Sequence, residues 1–478
     1  MSTSSRTLWI VAVCAVAAAA AGAVLPPMAF LGLVVLLVMA AAAAAAIVLR
    51  VDRPSIGLLL LMGTAVAFPV EFRGPAGVMM SSSLPLSAAI CGLWIVRSLL
   101  AGDASAFDRS RVVVAAVLFL GLTLVSFTMG QFPWFHTPGA PLPAQVVELG
   151  LFSLSVCLFL AVGQQVHRLA ELQWLTWLFV AAGAVTCVLQ MTPALLPVAR
   201  WTTRPGSVGS LFWTWFVAVT VAHGLANSQL RLPIRLGLLG LAGLALGHSL
   251  LQVRSWASGW APALIAVGAI TLVRWPRLVV GGGLLATPLA YLLAGDILAP
   301  LLADEAYSLM TRQEAWKVLM QIVDRNPWLG TGLANYYYYA ENFPILGWYV
   351  TFISHNNYQD LLVQTGLLGL AAFLWFGLEA LWMTFRLSLQ CPPGFPTAYA
   401  LAAFGGTLGS LASGMLGDWI IPFYYNGGVL GFRSSLLFWV FLGGALSLRR
   451  MLAATRQVHA VERTMSHVPG EYALATSR

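Results

Sequence analysis

The stretch Ser354-His-Asn-Asn-Tyr-Gln-Asp-Leu-Leu-Val-Gln-Thr-Gly-Leu-Leu-Gly-Leu370 runs from a polar cluster straight into an apolar segment that continues to residue 385. About 20 apolar residues cross the hydrocarbon core of a bilayer, so the segment reads as a membrane span. A histidine and two asparagines then stand at its entrance.

The rest of the chain agrees with a membrane setting. It has 478 residues, 59% hydrophobic and 9% charged, with mean hydropathy +0.83. Soluble domains carry about a quarter charged residues. Length alone would suggest about three soluble domains, but this composition describes a polytopic membrane protein. The net charge of +8 rests almost wholly on arginine, with Lys317 the single lysine. In a membrane protein such an excess marks cytoplasmic loops and not a nucleic-acid partner. Cys14, Cys91, Cys157, Cys187 and Cys391 are scattered, with no Cys-x-x-Cys pair. They read as small buried hydrophobes and neither a disulfide framework nor a metal site.

The expected fold class is an all-α polytopic integral membrane protein with about fourteen spans. The candidate runs are 8–25, 29–49, 55–70, 83–101, 112–130, 147–166, 172–192, 210–228, 234–252, 257–273, 278–295, 358–385, 396–420 and 429–448. The first run resembles a signal peptide, but the further spans favour a retained helix. With the N-terminus inside, most of the 25 basic residues fall on the cytoplasmic side, and the loops Leu25–Met28, Gln131–Gln145 and Ile421–Gly428 hold none. The positive-inside rule therefore places both termini in the cytoplasm. Four regions follow: spans in 1–295, a long outer loop at 296–357, spans in 358–448, and a polar cytoplasmic tail at 449–478.

The long loop has its own pattern. Ala306–Arg325 has helical spacing and amphipathic character, Asn326-Pro327 stops it, and Trp328-Leu-Gly-Thr-Gly332 supplies a tight turn. Tyr336 to Tyr339 form a run of tyrosines, followed by Trp348, Tyr349 and Phe352. Tyr337, Tyr338 and Trp348 suit an interfacial belt or a platform for sugar rings, and Asn356 is a further candidate sugar or acceptor contact. Ser354 reads as an N-cap, which puts His355 and Asn356 in the first helical turn. A helix N-terminus opposes a second positive charge, so His355 reads as a neutral general base or as a polar cap. Arg254, in Gln252-Val-Arg-Ser-Trp-Ala-Ser-Gly259, and Arg204, in Arg204-Pro-Gly-Ser-Val-Gly209, stand on the outer side with Arg312. Guanidinium groups there suit pyrophosphate oxygens or lipid headgroups.

In order, Arg312-Gln-Glu-Ala-Trp-Lys-Val-Leu-Met, Asn326-Pro-Trp-Leu-Gly-Thr-Gly332 and the stretch quoted first resemble the O-antigen ligase and Wzy-type polymerase superfamily. Arg254-Ser-x-x-x-Gly259 and Arg204-x-Gly206 are similar to further family arginines. The resemblance covers directly about a third of the chain. It implies inverting, metal-independent glycosyl transfer at the periplasmic face of a bacterial inner membrane, without a cofactor. The implied donor is a glycan on undecaprenyl pyrophosphate, and the acceptor a glycan or lipid A-core. Membrane lipids and a chain-length regulator are the further partners it admits. His355 would activate the acceptor hydroxyl; Arg254, Arg312 and Arg204 would hold the pyrophosphate. The span count favours a polymerase of lipid-linked repeats over an O-antigen ligase.

Two rivals belong to other classes. A multi-span transporter would place ionisable groups at midplane, where Asp and Glu are nearly absent and His223 and His248 read as packing residues. A metal-dependent membrane glycosyltransferase needs a carboxylate in its first outer loop, here Leu25-Pro-Pro-Met28, and no Asp-x-Asp occurs.

Overall fold

A computed structural model describes residues 54–67, 71–73, 79–101, 109–192, 209–252, 256–277, 281 and 299–466. The expected spans 8–25 and 29–49, nearly all of 278–295, Arg204, Arg254 and the end of the tail lie outside these residues.

The described chain is helical: α1 Pro54–Met62, α2 Ser83–Ala101, α3 Arg111–Met129, α4 Leu142–Gln165, α5 Leu169–Met191, α6 Ser210–Ala226, α7 Leu232–Gln252, α8 Ala257–Arg274, α9 Ala299–Val323, α10 Tyr336–Tyr339, α11 Asn357–Gln390, α12 Phe395–Gly414 and α13 Gly428–Ser466. Eight of the described helices (α2 to α5, α7, α8, α11 and α13) are long and apolar enough to cross a membrane. The chain is thus an all-α, multi-pass membrane protein. The expected spans at 55–70 and 210–228 are shorter apolar helices, Ile56–Ala67 and Ser210–Ala226. The one at 396–420 ends early, at Gly414. A feature not foreseen is a small antiparallel hairpin, β1 Glu71–Arg73 against β2 Met79–Ser81.

Lipid cannot satisfy backbone or hydroxyl groups, and the helices answer locally. Thr123, Thr176 and Ser410 donate to the carbonyls of Phe119, Leu172 and Gly406 four residues earlier, at 2.7–2.9 Å. Apolar side chains fill the interior; Phe119, Phe159, Trp215 and Trp439 are wholly buried. α13 packs on α4, α11 on α3, and α12 on α6, α8 and α11. Gly409 lets α12 press on the backbone of α8, because a Cβ there would meet the Pro262 carbonyl at 2.6 Å. Arg433 is buried near the start of α13, with Nε donating to the Ala65 carbonyl at 2.5 Å. That carbonyl lies in the π-helical turn Gly63–Ala67, which ends α1.

The segment between α9 and α11 is anchored by a joint of glycines. α11 is broken at Gly366 (φ 67°, ψ −172°). Into the break comes the turn after α9: Thr331 N donates to Val363 O at 3.0 Å, Gly332 N to Gln364 O at 3.1 Å, and Leu367 N to Pro327 O at 2.8 Å. Ser126 of α3 closes the set, its one hydroxyl proton shared between Leu329 O at 2.8 Å and Gln364 O at 2.5 Å. A Cβ on Gly366 would overlap the Trp328 backbone, and one on Gly332 would overlap Gly130. Irregular backbone is thus tolerated here because protein partners satisfy it. A second apolar cluster, including Leu319, Ile322, Tyr336, Tyr339, Val363 and Phe423, packs beneath the loop.

Candidate active site

α9 and α11 cross beside this joint. Val318, Leu319 and Ile322 of α9 are buried, while Gln313, Trp316, Lys317 and Gln321 are exposed. Between the helices opens a cavity of about 820 Å³. Arg312, Lys317, Asn356 and Gln359 supply its polar lining; Leu362, Leu370 and Leu374 of α11 supply an apolar wall that runs along a membrane span. Lys317 is paired with Glu314 at 2.6 Å. Arg325, the other cation near the end of α9, lies over the Phe135 ring at 5.1 Å.

His355 stands at the entrance of α11, though not as the sequence suggested. Asn356, not Ser354, is the N-cap: its side chain accepts from Tyr358 N at 2.9 Å and Gln359 N at 3.3 Å. His355 therefore precedes the helix, and its backbone is left-handed (φ 53°). Such a conformation is uncommon for a residue with a side chain. Ser354 explains it. Its hydroxyl donates to Asp360 at 2.6 Å and accepts from Asn356 N at 3.0 Å, drawing the chain inward on both sides of the histidine. His355 keeps an exposed face. Loss of water around the rest pushes its imidazole below the ordinary histidine range; Arg312 reinforces this and Asp418 opposes it. The neutral ring expected from the sequence agrees, with burial as the main cause instead of the helix end. Asn356 donates to Met415 O at 3.2 Å and so binds the α11 entrance to the segment after α12.

Beneath lie carboxylates that sequence reasoning passed over. Glu148, Asp360 and Asp418 are all buried. Glu148 accepts from Tyr424 N at 2.8 Å. Asp360 accepts from Tyr336 at 2.5 Å and from Ser354. Asp418 accepts from Phe423 N at 2.7 Å and from the Asn426 side chain; burial raises its pKa. Each carboxylate has its own donors, and among the described residues no group of His, Cys, Asp and Glu is arranged to hold a metal ion. The signal for Asp360 was in the quoted stretch, one turn past Asn356; nothing local marked Glu148 or Asp418.

The tyrosine run divides. Tyr336 and Tyr339 are buried, whereas Tyr337 and Tyr338 are half-buried. Tyr337 stacks on Tyr425 at 4.2 Å, and Tyr338 meets the same ring edge-on at 5.6 Å. Trp348 is 72% exposed and closes a tight turn with Ile345 through paired 2.9 Å bonds. None of Tyr337, Tyr338 and Trp348 lines the cavity. Of the expected site residues, Arg312 and Asn356 line it; His355, next to Asn356 in the chain, does not, but is near enough to feel the Arg312 charge. Trp256 and Gly209, the first described residues after Arg254 and Arg204, both meet Trp419.

No family model matches the chain, and no curated protein matches it.

Proposed function

We propose that the chain is an inverting, metal-independent glycosyltransferase of the bacterial inner membrane, which moves a glycan from undecaprenyl pyrophosphate to a sugar hydroxyl at the periplasmic face. The observation that carries this reading is the cavity between α9 and α11, where an apolar wall on a membrane span leads to Arg312 and to Asn356, the chain neighbour of His355. A polyprenyl chain needs the wall, its pyrophosphate needs the cation, and an incoming hydroxyl needs a base.

In the proposed step the acceptor oxygen attacks the anomeric carbon from the face opposite the pyrophosphate. The bond from that carbon to the phosphate oxygen breaks, and its electron pair leaves with the lipid pyrophosphate. His355 takes the hydroxyl proton. Arg312, with Arg254 and Arg204 as further ligands, offsets the growing charge on the leaving group. The reading includes Arg254 and Arg204 on the sequence resemblance alone. Asn356 stands at the cavity and is the proposed acceptor contact. Tyr337, Tyr338 and Trp348 are assigned to a more distant part of the glycan.

Polymerisation of lipid-linked repeats is the favoured form. The test is incubation of the purified chain with a defined lipid-linked repeat. A ladder of longer lipid-linked products supports the polymerase. Transfer only when lipid A-core is added makes it a ligase, and no transfer to either acceptor removes the glycosyltransferase reading.

A further inference from the structure

A second polar cavity, of about 450 Å³, lies at the opposite end of α3 and α11 from His355. Arg109, Arg111, Arg386 and Arg449 converge on it from the start of α3, the end of α11 and α13. Glu379 is the single acidic side chain in the lining. It holds Arg111 at 3.1 Å and also accepts from Trp375 Nε1 at 3.2 Å. Arg386 lies over the Trp382 ring at 5.3 Å. Even with the Arg111–Glu379 pair formed, the cavity keeps a strong positive excess. The glycosyl-transfer reading makes no use of it.

The surroundings select the ligand. Val112, Met383 and Leu387 form the apolar side of the cavity. Next to it, α11 exposes Leu378, Trp382 and Leu389 at 66%, 55% and 61%. A membrane span with an exposed apolar face at this level abuts acyl chains, and a tryptophan there suits the headgroup boundary. Guanidinium groups bind phosphate oxygens in pairs, and basic pockets between spans hold lipid headgroups. A soluble anion would use the arginines and leave the apolar face unexplained. We propose that this cavity is a binding site for the headgroup of an anionic phospholipid, whose phosphate sits among Arg109, Arg386 and Arg449 while its acyl chains run along the Leu378–Trp382 face. The site joins the ends of α3, α11 and α13, and α11 also walls the cavity beside α9.

The test titrates the full-length chain, purified in detergent, with phosphatidylglycerol and counts lipid-bound species by native mass spectrometry. Wild type should hold phosphatidylglycerol well above phosphatidylethanolamine. Arg386→Gln/Arg449→Gln should bind it about thirtyfold more weakly, and Arg386→Gln alone, at an exposed position, about fivefold. Arg274→Gln/Arg277→Gln removes exposed arginines from the same end of the bundle but outside the cavity, and should bind as wild type does. Equal binding of the two lipids, equal loss in the control pair, or unchanged binding in Arg386→Gln would overturn the assignment. So would displacement of phosphatidylglycerol by millimolar inorganic phosphate, which would make the ligand a free anion.

Discussion

The Tyr336 hydroxyl donates to Asp360 Oδ1 at 2.5 Å, and the Ser354 hydroxyl donates to the same oxygen at 2.6 Å. One carboxylate on a membrane span therefore ties down both the tyrosine run and the residue before His355. Burial, and the carboxylate beside it, push the Tyr336 pKa well above the ordinary tyrosine value, so the hydroxyl stays a donor. Tyr336→Phe leaves a buried acceptor short of a partner, which costs about 1–3 kcal/mol. We expect a lower thermal midpoint for Tyr336→Phe and little change for Tyr338→Phe. A wild-type midpoint in Tyr336→Phe would mean that this bond contributes nothing.

The glycine joint makes a sharper prediction. Gly366 adopts a conformation open essentially to glycine alone, and an added Cβ would overlap the Trp328 backbone. Gly366→Ala should fail to accumulate as folded protein. Gly240, inside α7, has open space around its Cβ position. Gly240→Ala should be neutral or stabilising by up to about 1 kcal/mol. Folded yield by fluorescence-detected size exclusion separates the two; similar yields would remove the joint from the account of the fold.

His355 carries the pH prediction. Its folded-state pKa lies below the unfolded value of about 6.5, so folding disfavours the proton. This favours the folded state above about pH 6.5 and is lost as the pH falls through the lowered folded value. The base form persists over the same range, so the acidic limb of the rate profile should fall below pH ~6.5. His355→Gln should lack that limb, and His355→Ala should lose about 10²–10⁴-fold in rate while staying folded. His355→Gly relieves the left-handed backbone, so it should gain stability and lose activity together. Near-normal turnover in His355→Ala would end its assignment as the base.

Arg312 should respond to geometry as well as charge. Arg312→Ala should weaken donor binding and slow turnover, and Arg312→Lys should rescue little, because an ammonium cannot make the bidentate contact. Lys317 is already paired with Glu314, so Lys317→Ala should have the smaller effect. Donor affinity and single-turnover rate, measured on the same variants, decide this. Full rescue by lysine would reduce Arg312 to a point charge.

Orientation is open to direct labelling. Glu341 and Arg109 are both exposed and lie at opposite ends of the helices. A cysteine at position 341 should react with an impermeant maleimide in spheroplasts, and one at 109 only after permeabilisation. The reverse pattern would invert the topology.

The sequence by itself determined the membrane class, because a bilayer demands long apolar runs and any chain that meets the demand shows them. It also determined that α9 stops before Pro327 and that Gly330 and Gly332 make the turn after it, because proline and glycine act on their own backbone; the break at Gly366 was decided by that turn docking into α11. Arg312 and Asn356 were named from ordered motifs, and both line the cavity between α9 and α11. Only the tertiary structure decided the rest. Asn356 took the cap from Ser354 because Ser354 had a better partner in Asp360, fixed by where Tyr336 was packed. Arg433 turned inward because a π-helical turn offered a carbonyl from a helix hundreds of residues earlier. Glu148, Asp360 and Asp418 met because α4, α11 and the segment after α12 converge. Such meetings depend on which helix lies beside which, and hydropathy along a chain carries no record of its neighbours.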